Sequence, residues 1–553
     1  MRLQSSITFF FTLLTFSLIG QNMADFTGSW EGKIENSKTF NFAVSIEYLQ
    51  PSTAVFKISN NKNIISQVFT YDSEKLIKVS ISPNLSFIGE LSANGKEVNG
   101  FIQSGLLLYH IKLTKSKTNS FMGVWDILMV DELKSQNFYL SVENGLDDDY
   151  QAYPILADDR FTGTWCANFQ KENDSLSFID LKTGLKFKGE LLPNEIKLSV
   201  LLGKYTITQI DLKKSKTDWE IGGFETDNKT SILQLTEMEN LISKDSLPNT
   251  HSVIISKKGK IKYENYFDGY NSQIPHDMRS ASKSISSAIV GIAKDKSLFE
   301  TVNQSIFDFL PEKYQSHGDS LKAGINIKSL LTMSSGIDAV DYGINSNPKS
   351  PAVEDNYQMT KDWTETILNS PMINIPNTKA NYGSANPYLL GIAIDSVVSE
   401  PLEMFFDKNL FQKLGISNYI IQTDLKGNPY FGGGMYLTSV DMVKFGELYL
   451  YKGNLNGTQI ISENWIENSF KNYLVLENTV DKNGYGYLWW HNTYKVNGKS
   501  IKSIEARGAG GQYIFVLPKL ETVVVITSGN YRNGKTQQSE LILEKYILPY
   551  IEN

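Results

Sequence analysis

From Asp25 to about Lys216 the chain reads as short alternating runs of apolar and polar residues, separated by Asn, Gly, Asp and Lys. Phe40-Asn41-Phe42-Ala43-Val44-Ser45-Ile46 and Leu107 to Leu113 have the two-residue period of half-buried strands. The pattern then changes. A helix-like run from Leu233 to Ile242 leads to Pro248, and Ser252–Ser256 and Ile261–Phe267 flank Lys257-Lys258-Gly259-Lys260 as strand, turn, strand. Further on, Ile285, Ala288, Ile289 and Ile292 fall at the spacing of one buried helix face, which predicts a core helix. Gln512–Leu517 and Thr522–Thr527 predict a second strand pair around Pro518-Lys519-Leu520-Glu521, and an amphipathic helix follows from about Gln537 to Tyr550. Strands at both ends of this half, with helices between, predict one sheet closed by distant segments, plus a helical subdomain.

The first half repeats itself. Phe26-Thr27-Gly28-Ser29-Trp30 returns as Phe121-Met122-Gly123-Val124-Trp125, and Phe87-Ile88-Gly89-Glu90-Leu91 as Phe187-Lys188-Gly189-Glu190-Leu191. Leu113-Thr114-Lys115-Ser116-Lys117 closes one copy and Leu212-Lys213-Lys214-Ser215-Lys216 the other. An offset of roughly 95–100 residues makes each copy a small all-β module, an antiparallel barrel or sandwich, rather than a solenoid rung. Phe161-Thr162-Gly163-Thr164-Trp165 is a further F-x-G-x-W string. The G-x-W element resembles the opening strand of lipocalin-like barrels. The residues themselves favour Trp30 and Trp125 as plugs at the base of the two modules over walls of a ligand cavity.

Composition narrows the class. A chain of 553 residues needs several domains, and a net charge of −7 without basic blocks argues against nucleic acid or anionic membranes as partners. Met1-Arg2, the apolar run Ile7 to Ile19 and the small or polar Gly20-Gln21-Asn22 read as a secretory signal, too short to span a bilayer comfortably. The single cysteine, Cys166, cannot form an internal bridge, which fits export to a periplasm or the medium. No span follows the signal, no metal constellation appears, and no cofactor is implied.

Candidate chemistry centres on Ser280-Ala281-Ser282-Lys283, at the head of the core helix. Residues three apart share a helix face, so the Ser280 hydroxyl and the Lys283 amine can meet, and a desolvated lysine can take the serine proton. The same S-x-x-K spacing occurs at Ser59–Lys62 and Ser346–Lys349. The first encloses the turn-forming Asn60-Asn61 and the second contains Pro348, so neither fits a helix. There is no G-x-S-x-G elbow, and His110, His251, His276, His317 and His491 are scattered, so no histidine-based triad competes. His276 reads as a structural loop histidine.

From Asn249 onward the chain resembles the β-lactamase-related serine hydrolases, a family that includes class C β-lactamases, D-amino-acid peptidases, esterases and the nylon-oligomer hydrolases. The carrying residues are Arg279–Ser284, Leu330-Leu331-Thr332-Met333-Ser334-Ser335-Gly336, Pro376 to Gly391, Gly432–Ser439, Tyr485–Trp490 and Gly508-Ala509-Gly510-Gly511-Gln512. Six such stretches in family order make the resemblance, which lies nearest the nylon-oligomer hydrolase and esterase branch. It implies Ser280 as nucleophile, Lys283 and Tyr382 as proton carriers, and an oxyanion hole from the backbone N–H groups of Ser280 and Ala509, with Gly508 beside it. Tyr382-Gly383-Ser384 matches the family's Y-x-N motif, with Ser384 where many members have Asn. A positive lysine nearby is expected to lower the Tyr382 pKa. Tyr263-Glu264-Asn265 and Tyr531-Arg532-Asn533 match that motif literally, but one precedes the nucleophile and the other lies beyond the last strand. The third motif appears as Ala506-Arg507-Gly508, without the usual Lys or His at its first position. Its literal form, Lys182-Thr183-Gly184, lies upstream in the β modules and reads as a turn. Trp489 and Trp490 are candidate pocket walls, although such pairs are more often core, and Asp338 and Tyr342 fall where substrate-facing loops occur.

The expected plan is therefore a signal peptide (1–20), β modules at 21–118 and 119–220, a linker (221–248) and an α+β serine β-lactamase-like domain (249–553). The expected activity is cleavage of an ester or amide in a small or short peptide-like substrate, through an acyl-enzyme, by an exported protein. The alternatives are a β-lactamase or D-amino-acid peptidase and, in another class, a catalytically inactive binding protein. The β modules are open to roles in substrate binding, capping of the cleft or homo-oligomerisation.

Overall fold

The computed structural model describes residues 26–50, 52–61, 63–70, 76–118, 120–130, 136–144, 150–156, 160–161, 166–172, 174–215, 235–318 and 321–552. The expected signal segment, residues 221–234 of the 221–248 linker and residues 162–165 of the third F-x-G-x-W string lie outside them. An N-terminal all-β region precedes an α+β domain, as the hydrophobic pattern predicts.

The first module contributes β2 (Asn41–Gln50), β3 (Thr53–Ser59), β4 (Ile64–Thr70), β5 (Leu76–Ser82), β6 (Leu85–Leu91), β7 (Glu97–Ser104) and β8 (Leu107–Lys115). The second repeats this plan with β10 (Asn137–Asn144), β11 (Tyr150–Leu156), β12 (Cys166–Glu172), β13 (Ser175–Asp180), β14 (Leu185–Leu192), β15 (Glu195–Leu202) and β16 (Tyr205–Lys214). Alternation sets the faces. In β14, Leu185, Phe187 and Leu191 point inward while Lys186, Lys188 and Glu190 face water. Burial of each such large apolar side chain contributes ~2 kcal/mol.

The strands carrying the two repeated tryptophans are exchanged. Strand β1 (Gly28–Lys33) pairs with β10 and β16 of the second module, whereas β9 (Ser120–Asp126) pairs with β2 and β8 of the first. Trp30 and Trp125 are both buried in one apolar cluster that runs through both modules. Trp30 Nε1 donates to Phe26 O at 2.8 Å, and Trp125 stacks on Phe42 with ring centroids 5.4 Å apart.

The α+β domain is built on an eight-stranded sheet joining β17 (Thr250–Lys257) and β18 (Lys260–Tyr266) to the last strands of the chain. Between them lie β19 (His276–Asp277), β20 (Ile420–Gln422), β21 (Met435–Leu437) and a short hairpin of β22 (Asn454–Leu455) and β23 (Thr458–Gln459). The sheet is completed by β24 (Leu474–Val475), β25 (Gly484–Tyr485), β26 (Trp490–Val496), β27 (Lys499–Gly508), β28 (Gln512–Leu517) and β29 (Thr522–Ser528), in the order β18-β17-β29-β28-β27-β26-β25-β24. The predicted C-terminal helix is interrupted by a wider π turn at Leu543–Ile547, just before Pro549, a residue that has no amide hydrogen to donate.

Strands β19, β21 and β20 do not join that sheet. They extend the first module, in the order β19-β21-β20-β8, with Ile420 opposite Tyr109 and His276 opposite Leu437. A continuous ladder thus runs from the first module to the residues just ahead of Ser280. No helix among the described residues is long and apolar enough to cross a membrane.

Candidate active site

The helix Lys283–Asp295 was expected to bury one face, but it is buried nearly all round, Ser284, Ser286 and Ser287 included. Two of these serines are satisfied by neighbouring carbonyls: Ser284 donates to Leu488 O at 2.7 Å and Ser286 to Phe431 O at 3.4 Å. Ser280 lies one turn earlier, in the tighter 3₁₀ turn Arg279–Ser282, and is half-buried.

Lys283 Nζ lies 2.8 Å from Ser280 Oγ and 3.1 Å from Ser384 Oγ, and it also donates to Gly432 O. Among the described residues Lys283 makes no ion pair. Burial pushes its pKa down, against the upward pull of Glu354 and Asp341. An uncharged, serine-bound amine is the form that accepts a proton.

Tyr382 is buried beside Ser280, whose hydroxyl acts on its acidity. Lys283 Nζ lies 5.2 Å from the centre of its ring. The expected lowering of its pKa is not what this environment gives. Burial raises it, the hydrogen bond with Ser280 pulls the other way, and Asp341 and Glu354 raise it further. With the neighbouring lysine itself shifted toward its neutral form, Tyr382 is a phenol able to donate and accept, rather than a phenolate.

Ser384 precedes the helix Ala385–Asp395. Its hydroxyl receives Lys283 and its backbone N–H donates to Asp341 Oδ2 at 2.7 Å. Asp341 Oδ1 accepts the Glu354 N–H at 3.1 Å, and Glu354 in turn takes the Tyr430 hydroxyl. Burial and then Glu354 push the Asp341 carboxyl up to about 7, against Lys283 and Ser384. Asp341 and Glu354 carry no motif, and sequence reading passed over both. The nearby candidates are peripheral: Asp338 accepts from Asn347, and the exposed Tyr342 ring lies 5.6 Å from that of Tyr382.

The edge of the site is the end of β27. A Cβ on Gly508 would sit 2.2 Å from Met278 O, so only glycine lets this strand approach the Ser280 turn so closely. Ala509 is exposed and lines a cleft of about 280 Å³ with Ser280, Gly432, Gly433 and Gly434. Ala506, where the family places a cation, is fully buried. Arg507 is bound by Glu505 at 2.6 Å and Glu540 at 3.1 Å, and lies 4.8 Å from the centre of the Trp490 ring. Of the two candidate wall residues, Trp489 is core, and Trp490 packs 5.0 Å from Tyr382. His276 is buried, 3.2 Å from Thr527 Oγ1, and burial holds its pKa well below the ordinary value.

Two further groups in this cleft come from places set aside in the sequence. Tyr531 and Arg532, of the misplaced Y-x-N string, line it, and so does Lys182 of the upstream Lys182-Thr183-Gly184. A larger groove of about 1150 Å³, which includes Glu31, Asn63 and Tyr139, draws on both modules and shares no residue with the Ser280 cleft.

Residues 249–544 match the family model described as Beta-lactamase, more than half of the chain. The chain belongs to the Beta-lactamase family. Within it, the chain is similar to the 6-aminohexanoate-dimer hydrolase of Paenarthrobacter ureafaciens, at 21% identity over 318 residues, covering 53% of this chain and 77% of that protein. Among solved structures it is similar to a penicillin binding protein from Bacillus halodurans, at 16% identity and a TM-score of 0.44, covering 56% of this chain and 99% of the other. It is also similar to EstCE1, a hydrolase with promiscuous acyltransferase activity, at 14% identity and a TM-score of 0.47, covering 57% and 97%. The Beta-lactamase match lies within the α+β domain and leaves both β modules outside it.

Proposed function

We propose that this chain is an exported serine hydrolase that cleaves an ester or amide bond through an acyl-enzyme on Ser280. The observation that carries the proposal is the contact of a buried, carboxylate-free Lys283 amine with Ser280 Oγ at 2.8 Å. Lys283 takes the hydroxyl proton as Ser280 attacks the carbonyl carbon. Tyr382, beside the same hydroxyl, passes a proton to the departing alcohol or amine. The acyl-enzyme then yields to water by the reverse transfer. The backbone N–H groups of Ser280 and Ala509 stabilise the oxyanion, a contribution of ~3 kcal/mol for each well-placed donor. Gly508 lets the strand come close enough, and Ser384 holds the lysine.

An ester or linear amide is favoured over a β-lactam or cell-wall peptide, because Ala506 offers no cation to a substrate carboxylate and Arg507 is committed to Glu505 and Glu540. Similarity to a 6-aminohexanoate-dimer hydrolase supports including linear amides among the substrates to be tried. Export rests on the apolar N-terminal segment.

The test is hydrolysis of p-nitrophenyl acetate and butyrate by wild type, Ser280→Ala and Lys283→Ala, with fluorophosphonate labelling of Ser280. Each variant should lose roughly a thousandfold or more in kcat while remaining folded. A wild type that neither turns over these esters nor takes the label would remove the hydrolase reading in favour of a binding protein. Rapid opening of a chromogenic cephalosporin would move the substrate class to lactams.

A further inference from the structure

The turn between β13 and β14 carries Lys182 out of the second module and into the cleft. The turn is tied down on every side. Asp180 Oδ1 accepts the Lys182 N–H at 3.0 Å, Asp180 Oδ2 accepts the Thr183 hydroxyl at 2.6 Å, and Leu106 N–H donates to the carbonyls of Leu181 and Lys182 at 3.1 and 3.0 Å. A Cβ on Gly105 would lie 2.3 Å from Gly184 N, so the two modules' turns touch backbone to backbone. The lysine at its tip is therefore placed, not draped.

Lys182 Nζ lies 3.4 Å from Asp277 Oδ2, with the two side chains 3% and 6% exposed. Asp277 stands three residues ahead of Ser280 and governs the turn between them. Its Oδ1 accepts the Arg279 N–H at 2.9 Å, and its Oδ2 lies 3.2 Å from Arg279 Nε. Arg279 sits at φ +49°, in the left-handed region, which costs a non-glycine residue ~1 kcal/mol or more. Asp277 is the side chain that accepts this residue's amide and so offsets the strain. The orientation of Ser280 follows directly, because its own N–H is the amide bonded to Arg279.

We infer that Lys182 is a positioning residue for Ser280: through Asp277 it fixes the Arg279 turn, so that a β-module side chain completes the hydrolase site. The inference rests on the reading of Ser280 as the nucleophile. Without Lys182, the buried Asp277 carboxylate keeps Arg279 as its one remaining cation among the partners described here, and its grip on the turn loosens.

The experiment compares full-length wild type, Lys182→Met, Lys182→Arg, Asp277→Asn and the Lys182→Met/Asp277→Asn double variant. Four quantities are read: the rate of Ser280 labelling by a small neutral fluorophosphonate, kcat and KM on p-nitrophenyl butyrate, amide hydrogen exchange of the peptide 276–283, and the unfolding midpoint. Lys182→Met should slow labelling and kcat by about tenfold or more with KM little changed, and should speed exchange in that peptide. Lys182→Arg should recover much of the loss, and the double variant should be no slower than Asp277→Asn alone. Unchanged labelling and exchange in Lys182→Met, additive losses in the double variant, or a rise in KM alone would each overturn the inference. Should Lys182→Met fail to fold, Lys182→Gln replaces it in the same assays. A wild type that resists the label sinks the Ser280 reading, and the exchange data still decide whether Lys182 holds the turn.

Discussion

The seam between the first β module and the α+β domain and the cleft around Ser280 are both polar, but they treat charge in different ways. At the seam, Asp407 accepts the Tyr419 hydroxyl at 2.8 Å and Gln412 Nε2 at 2.6 Å, with His110 Nε2 of the module 3.5 Å away. Lys408 is held between Glu90 of the module and Glu400. Each of these charges has a partner. In the cleft, Lys283 touches no carboxylate, Asp341 is pressed by Glu354, and Arg279 is held in a strained conformation. The contrast is local to Lys283 and Asp341, whose burial no ion pair among the described residues offsets, since Lys182, Asp277 and Arg279 at the edge of the same cleft are paired.

The largest expected effect that could break this comparison is at the seam. Asp407→Ala removes the acceptor of the buried Tyr419 hydroxyl and of Gln412, together with the partner of His110, and should lower stability by ~3 kcal/mol in denaturant unfolding. Hydrolysis per folded molecule should change little. A variant that keeps its stability but loses activity would mean that the seam serves the reaction directly.

How much of this was readable in advance follows the range of the interactions. Ser280 and Lys283 are three residues apart, and β28 and β29 are local runs, so periodicity and spacing exposed them. The repeat was also legible, since β6 and β14 carry the same Phe-x-Gly-Glu-Leu string. The exchange of β1 and β9 was not, because a strand's alternation states which face is buried but not which neighbour covers it. Lys182 escaped for the same reason: its partner Asp277 lies 95 residues away. Asp341 and Glu354 sit on loop and short-helix positions without a spacing that marks them. The Tyr382 shift was expected with the wrong sign, since desolvation outweighs a lysine that burial also drives toward neutrality.

Acidity separates the two regions next. At Asp407, burial pushes the carboxyl up, but His110, Gln412 and Tyr419 outweigh it and hold the pKa below its ordinary value. Its stabilisation is present above the unfolded pKa of ~4 and is lost as pH falls through the folded value. Asp341 has the reverse sign. With its pKa raised to about 7, the folded state binds the proton more tightly, and stability falls as pH rises from ~4 toward 7. Unfolding midpoints across pH 3 to 8 should therefore show Asp341→Asn flattening the neutral side and Asp407→Asn the acid side. Slopes that move together would deny the contrast.

A smaller effect sharpens the point at Lys283 itself. Lys283→Met replaces a buried, uncompensated amine with an apolar chain of similar length, and should raise stability by ~1 kcal/mol while abolishing turnover. Calorimetry and the ester assay on the same sample decide it. A loss of stability would show that Lys283 is structural first.

The smallest effect belongs to Lys408. Its side chain is 35% exposed, and Glu90 and Glu400 are 25% and 28% exposed, so water screens the pair interactions and Lys408→Ala should cost only ~0.5 kcal/mol. Most of the seam's strength must then come from elsewhere: the β8–β20 ladder, whose backbone hydrogen bonds do not depend on side-chain charge, and the burial of Ile420 and Tyr436 in the modules' core. Raising the salt concentration tests this division without a mutation. It should weaken the Lys408 contribution and leave the ladder untouched, so wild type and Lys408→Ala should converge in stability. A gap that persists in high salt would assign Lys408 a packing role, through its buried methylene stem, in place of an electrostatic one.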